Sequence, residues 1–370
     1  MIYLDNASTT PIDPEVLDVM IDYMRNEYGN PSSKYYPQAI NAQNALLNAR
    51  NQVASLLGCE SEHIIFTSGS TESNNFIIKG VAEKYRSKGN HIITSKIEHK
   101  SILKTCEHLS KLGYQITYVD NDEYGRVNVD QIKNAITNDT ILVSIMWANN
   151  EIGTINDIEL ISAICRENKV LFHTDATQVI GKIDIKLATL PIDFLSMSAH
   201  KIYGPKGIGI AYIGPDRLGL RHRLPPLIDG GEQEFKLRAG THSMHNIVGL
   251  GKAAEVALRD MKDYLKRILE LENMLKEELL IIHPEITFNG DPKNKIPGLL
   301  SINIPGINNE LFCKQISQSV AISTGSACSI GEGSYVLESI LIKSHETLRI
   351  TLSKHTNYTK DIIDELSKHL

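Results

Sequence analysis

Between residues 64 and 213 the chain repeats one pattern: a short apolar run without polar alternation, then a stretch of helical or loop character. The runs are Ile64–Thr67, His91–Thr94, Gln115–Val119, Ile141–Met146, Val170–His173, Phe194–Met197 and Gly209–Ile213. A strand with one wet face alternates apolar and polar residues. These runs do not, so each is predicted to be covered on both faces by crossover helices. The expectation is an α/β fold: a large domain with a mostly parallel sheet flanked by helices. Ahead of the repeat, Asp13–Glu27 reads as a helix with proline at its beginning, and Tyr36–Leu57 as a long amphipathic helix. Beyond Gly240 the pattern changes to a long helix (roughly Asn246–Ile282), strands near Ile286–Phe288 and Leu299–Ile304, and helices at Glu310–Gln318 and Thr359–His369. That part is expected to be a smaller α+β domain. The expected division is 13–254 for the large domain and 1–12 with 255–370 for the small one.

Composition narrows the function classes. With 42% hydrophobic and 22% charged residues in 370, the chain is an ordinary globular one, not disordered, collagenous or coiled-coil. A net charge of −6 argues against direct nucleic-acid binding, which usually needs a strongly basic surface. No apolar run approaches the roughly 20 residues of a spanning helix. The start, MIYLDNASTT, lacks the basic and apolar regions of a signal peptide, so a cytoplasmic location away from membranes is expected. Five cysteines without a CxxC pair suit neither a disulfide framework nor a zinc site. Cys59, Cys106, Cys165 and Cys313 read as small buried hydrophobes; Cys328 stands apart. His242 and His245 lack a third ligand and read as a helix start, so no metal is expected.

In open α/β sheets, ligands bind at the carboxyl ends of the strands. The run at 64–67 leads into Ser68-Gly69-Ser70-Thr71 and a helix, a seat for an anion or an ordinary helix cap. His91–Ser95 leads to Glu98-His99-Lys100, and Ile141–Met146 to Asn149-Asn150-Glu151 in a turn-forming context. After Val170–His173 comes Asp175, a carboxylate at a buried strand end, which implies a cationic partner. After Phe194–Met197 comes Ser198-Ala199-His200-Lys201 in a glycine-rich loop, where a desolvated lysine can serve as a Schiff-base nucleophile. The glycines there do not form a dinucleotide fingerprint. A lysine, a carboxylate for a ring nitrogen and an anion seat are together what pyridoxal 5'-phosphate requires.

The segments DNASTT (5–10), GNPSS (29–33), SGSTESNN (68–75), EHK (98–100), NNEIG (149–153), HTDATQ (173–178), SAHKIYGPKGIG (198–209) and RAGT (238–241) are similar to those of NifS/IscS-type cysteine desulfurases. These form the class V aminotransferase branch of the fold-type I pyridoxal-phosphate-dependent transferases. The resemblance runs from residue 3 to about residue 356. It implies conversion of L-cysteine to L-alanine, the sulfur being carried as a persulfide and passed to an acceptor protein. Lys201 would bind the cofactor, Asp175 would pair with the ring nitrogen, and Gln178 and Asn150 would contact the ring's oxygen side. His99 would stack on the ring and relay protons, while Ser70, Thr71, Ser198 and His200 would hold the phosphate. Thr241 would reach the phosphate of a neighbouring subunit, which implies a homodimer. Arg349 would take the substrate carboxylate, with Asn30 a further candidate.

Cys328 lies in Ser323-Thr324-Gly325-Ser326-Ala327-Cys328-Ser329, which resembles the SGSAC signature of the NifS/IscS group, and would be the persulfide carrier, its Gly/Ser-rich flank suiting a loop that moves. The catalytic set implied is thus Cys328, Lys201 and His99. A lyase releasing pyruvate would need no such thiol, and a degenerate sulfur-transfer scaffold would be expected to have lost Lys201, His99 or Asp175. The chain departs from the family pattern at Tyr35, Gln38 and Ser353, and in a shorter stretch between Cys328 and Arg349. The sulfur could serve iron–sulfur clusters, tRNA thiolation or DNA modification.

Overall fold

The chain alternates elements as its apolar runs require. The computed structural model describes residues 1–325, 333–357 and 360–369. After a short strand β1 (Ile2–Tyr3) come α1 (Pro14–Asn26) and α2 (Pro37–Leu57). Asp13 caps α1 by accepting from Glu15 N, and proline opens both helices where no backbone N–H is needed. Then follow β2 (Ile64–Thr67), α3 (Ser70–Lys84), β3 (His91–Ser95), α4 (Lys100–Lys111), β4 (Gln115–Val119), α5 (Val129–Ala135), β5 (Thr140–Ser144) and α6 (Ile158–Glu167). β6 (Leu171–Asp175), β7 (Phe194–Ser198) and β8 (Gly209–Ile213) complete a seven-stranded sheet in the order β2-β8-β7-β6-β5-β3-β4. β8 pairs antiparallel with both neighbours, and the other pairings are parallel.

Both faces of β2, β3, β5, β6, β7 and β8 are covered, which explains their unbroken apolar runs, whereas the edge strand β4 departs from that expectation, with Gln115 and Tyr118 exposed. One core packs Val53, Leu57, Ile64, Phe172, Leu195 and Ile210 with α1 and α2. The opposite core packs Ile65, Ile92, Leu142 and Phe194 under Phe76, Ile77 and Val81 of α3. The 39-residue helix α7 (Met244–Ile282) joins two regions. Its first turns (Ile247, Leu250, Ala254) enter the first of these cores, and its later turns (Ile268, Leu271, Leu275) enter a separate core with Leu300, Ile302, Leu348 and Ile350. That separate core lines the antiparallel sheet β12-β10-β9, formed by β9 (Thr287–Asn289), β10 (Leu299–Asn303) and β12 (Thr347–Thr351). β1 returns from the N-terminus to pair with β11 (Val320–Ala321). The following residues, 5–9, are thereby carried from the small sheet toward the large one.

Two glycines bring β2 and β8 together below the site. Gly69 has a φ of 149°, and a Cβ there would meet Ser198 Oγ at 3.3 Å. A Cβ on Gly209 would lie 2.4 Å from Met197 O. A side chain at Gly209 would displace backbone of β7, and one at Gly69 would be strained by its φ and press on Ser198 Oγ.

Candidate active site

A cavity of about 560 Å³ opens at the carboxyl ends of β2, β3, β5, β6 and β7, closed from one side by Ala7–Thr9 and from another by Arg349 of β12. Ser70, Thr71, His99, Asn150, Asp175, Gln178, Ser198, His200, Lys201 and Arg349 all line it. Lys100, Glu151, Lys206 and Tyr335 line it too, and the sequence reading had given them no role.

Asp175 ends β6 with 6% of its surface exposed. Among the described residues its carboxylate accepts from Asn74 Nδ2 at 2.8 Å and from Thr177 N at 3.0 Å, and no cationic side chain is paired with it. Amide donors satisfy part of the carboxylate without cancelling its charge, which leaves that charge for a cationic ligand group. The other hydrogen of the Asn74 amide goes to Ser101 Oγ at 2.8 Å, and that hydroxyl lies 2.8 Å from His99 Nδ1. Ser101 N also donates to His99 Nδ1, as the imidazole caps α4. With Nδ1 an acceptor, the neutral ring carries its proton on Nε2. Burial, assisted by Lys201 and Lys100 and opposed by Asp175, lowers the His99 pKa and favours this neutral form. One asparagine thus orients both the carboxylate and the histidine. Asn74 lies in the SGSTESNN segment, where nothing in the sequence marks it as the link between Asp175 and His99.

Lys201 follows β7 and donates from Nζ to Ala7 O at 2.5 Å and Ser8 O at 2.8 Å. Gln178 Nε2 donates to the same Ala7 O at 3.0 Å, and its buried Oε1 has no partner among the described residues. Beneath Lys201 lies Lys182, 8% exposed, which shares with it the lining of a 40 Å³ void. Burial, Lys201 and Arg349 push the Lys182 amine down to about 7.

At the start of α3, Ser198 Oγ accepts from Ser70 N at 2.7 Å and lies 3.1 Å from Ser70 Oγ. Thr71, His200 and Lys206 complete this end of the cavity. Burial, Lys201 and Lys206 hold His200 down to about 4, so the ring is neutral, with Nδ1 3.1 Å from Thr9 Oγ1. A helix N-terminus, hydroxyls, a neutral imidazole and a lysine form a donor set that suits a phosphate. With the Asp175 carboxylate, the unpartnered Gln178 Oε1 and the Lys201 amine, the residues present fit pyridoxal phosphate.

Two buried carboxyl groups flank the site. Glu98 is pushed up to about 8 by burial, despite accepting from Met146 N and Ser95 Oγ, and is neutral at pH 7. Glu151 is also raised by burial and accepts from Ser334 Oγ at 2.5 Å. The remaining expected residues lie elsewhere. Asn30 is exposed, outside the cavity, its Oδ1 accepting from Ser32 N. Thr241 is exposed and outside it as well. Cys328 lies outside the described residues. The other four cysteines form no disulfide, and burial raises the pKa of each thiol, as expected of inert hydrophobes. His242 and His245 flank the start of α7, as expected, with His245 in its first turn. His242 precedes the Ser243 cap position and bonds through Nε2 to Glu234 Oε1 at 2.7 Å.

The model of the family Aminotransferase class-V matches residues 2–365. A relative from Ruthia magnifica subsp. Calyptogena magnifica, "Cysteine desulfurase IscS", is 43% identical over 361 residues, covering 96% of this chain and 88% of its own. Among solved structures, a "NifS-like protein" matches with a TM-score of 0.91 at 35% identity, covering 99% of this chain and 98% of its own. "SspA in complex with cysteine" matches with a TM-score of 0.83 at 36% identity, covering 95% of this chain and 99% of its own.

Proposed function

The chain belongs to the class-V aminotransferase family, and from that premise we propose that it works as the cysteine desulfurases among its relatives do. It is a pyridoxal-phosphate-dependent enzyme that converts L-cysteine to L-alanine and hands on the sulfur. The observation that carries the reading is the convergence of Lys201, Asp175 and the α3 seat on one cavity.

When bound, the cofactor serves as an electron sink for bonds broken at the substrate's α-carbon. Lys201 is the residue that would hold it covalently. Asp175 would keep its ring nitrogen protonated, and Gln178 with Asn150 would contact its oxygen side. Ser70, Thr71, Ser198 and His200 would seat its phosphate. His99, neutral and with Nε2–H toward the cavity, would stack on its ring and exchange a proton with the substrate. Arg349 would take the α-carboxylate, with exposed Asn30 a secondary candidate that would need its loop to approach. Cys328 would attack the substrate sulfur as thiolate. The C–S bond breaks, an S–S bond forms on Cys328, and the carbon skeleton leaves as alanine after protonation. The persulfide then passes to an acceptor protein, in service of iron–sulfur, tRNA or DNA modification.

The working unit is a homodimer in this reading, supported by the exposure of Thr241 outside its own chain's cavity, where it would reach the phosphate in a second copy. Residues 13–254 would form the cofactor-binding domain, and 1–12 with 255–370 the domain bearing Cys328 and Arg349. Among the described residues no helix is long and apolar enough to cross a membrane, and a cytoplasmic location is proposed. Borohydride reduction of the yellow holoenzyme, followed by peptide mass mapping, tests the arrangement. The pyridoxyl group is expected on Lys201, and its appearance on another lysine would contradict the assignment.

A further inference from the structure

Arg349 is 1% exposed, and a guanidinium has five N–H donors. Four are occupied by the protein. Nη1 donates to Asn150 O at 2.9 Å and to Gly325 O at 3.0 Å; Nη2 donates to Asp5 Oδ1 and Ser8 Oγ, each at 2.7 Å. The fifth, on Nε, is buried and has no partner among the described residues. An incoming carboxylate therefore finds no open pair of N–H groups, and two-point binding requires that a partner already present be displaced.

The partners differ in what their displacement entails. The carbonyls of Asn150 and Gly325 are backbone, fixed by the chain path. Asp5 and Ser8 bond through their side chains, and Ser8 Oγ also donates to Asp5 Oδ1 at 2.9 Å, closing a triangle with Nη2. The Asp5 side chain is 22% exposed against 2% for Arg349, so it alone of the ion pair has a route to water. Were Asp5 to stay, two carboxylates would share one buried guanidinium and repel each other. Without Asp5 and without ligand, the guanidinium would be a buried charge lacking its counter-ion.

We propose that Asp5 is a placeholder for the substrate's α-carboxylate: it neutralises Arg349 in the ligand-free site and gives up Nη2, together with Ser8, when an amino acid with a free carboxylate arrives. The exchange is anion for anion, so the buried site keeps its net charge. Asp5 acts as an internal competitor and raises the concentration at which any carboxylate is held. It also couples the two ends of the cavity, because the same turn supplies the Ala7 and Ser8 carbonyls that accept from Lys201. The proposal rests on the reading of Arg349 as carboxylate anchor.

The test uses L-alanine, which has the same α-carboxylate and no thiol, added to the holoenzyme and followed by cofactor absorbance and by melting temperature. Asp5→Asn is expected to bind L-alanine about tenfold tighter than wild type. Its ligand-free melting temperature should be lower, and its rise on saturation with L-alanine larger. Ser8→Ala, which keeps the charge and removes one acceptor, is expected to tighten binding about twofold and keeps the proposal testable should Asp5→Asn not fold. Equal or weaker affinity in both variants would overturn the exchange. Arg349→Gln separates the two readings. If it binds L-alanine as well as wild type does, Arg349 is not the anchor and the underlying assignment fails. If it loses binding while Asp5→Asn gains none, only the exchange fails.

Discussion

Asn74 Nδ2 donates to Asp175 Oδ2 at 2.8 Å, and its second hydrogen reaches Ser101 Oγ, the neighbour of His99 Nδ1. A single amide therefore sets the carboxylate that would face the cofactor's ring nitrogen and the imidazole that would lie over its ring. Asn74→Ala is expected to weaken cofactor retention about ten- to a hundredfold, as one hydrogen bond to a charged group is worth roughly 1.5–3 kcal/mol. Asn74→Asp should do worse, since it sets a second carboxylate against Asp175. Absorbance of the protein after dialysis against cofactor-free buffer measures both.

Behind β2, the buried Glu234 carboxylate accepts from Arg50 at 2.7 and 2.8 Å, from His242 and from Phe66 N. Burial opposes its charge, but the bonds from Arg50 and His242 outweigh burial and hold the pKa at about 2. The folded value lies below the ordinary 4.5, so this stabilisation is present above pH 4.5 and is lost as pH falls toward 2. Arg50→Ala leaves the carboxylate buried without its counter-ion and is expected to cost about 3–5 kcal/mol. Urea unfolding at pH 7 measures the loss, and the difference from wild type should shrink in acid.

Lys182 has the opposite sign. Its folded pKa, about 7 against an ordinary 10.5, means that the folded state binds fewer protons than the unfolded one between those values. The penalty is full below pH 7 and fades as pH rises toward 10.5. Lys182→Met is expected to stabilise the fold by roughly 1–3 kcal/mol at pH 7, with the advantage shrinking by pH 10. Melting curves at the two pH values check it.

Lys201→Ala should abolish the visible absorption band of the bound cofactor while the protein stays folded, the amine's bonds to the Ala7 and Ser8 carbonyls being at the edge of the cavity. An unchanged band would remove Lys201 from its assigned role.

Much of the fold was legible because short apolar runs bounded by turn residues recur along the chain. The runs at 64–67, 115–119 and 209–213 are β2, β4 and β8 to the residue. The run read as 141–146 ends instead at Ser144: Ile145 N still bonds to His173 O of β6, but Met146 N turns to the Glu98 carboxylate. The reversed direction of β8 was not legible, as an apolar run carries no sign of which way its neighbours run. The candidate site was legible where a polar residue follows a strand, as with Lys201 and Asp175. Asn74 was not, because it lies inside α3 and meets Asp175 only once β2 and β6 share a sheet. The expected cation beside Asp175 was a sound inference about charge, yet the protein meets the carboxylate with an amide. The successive left-handed residues Glu234, Phe235 and Lys236, with φ of 47°, 59° and 69°, gave no signal in a stretch without glycine at those positions. Glu234 is held by Arg50 and His242, and Phe235 lies against the guanidinium groups of Arg50 and Arg221.

The central claim is that the cavity desulfurates L-cysteine through Cys328. Its most direct test is product analysis of purified holoenzyme given L-cysteine and a thiol reductant, with Cys328→Ala beside it. L-Alanine and sulfide in equal amounts are expected from wild type, and from the variant an intact cofactor band with no sulfide. Pyruvate and ammonia accompanying the sulfide, or full activity in Cys328→Ala, would contradict it.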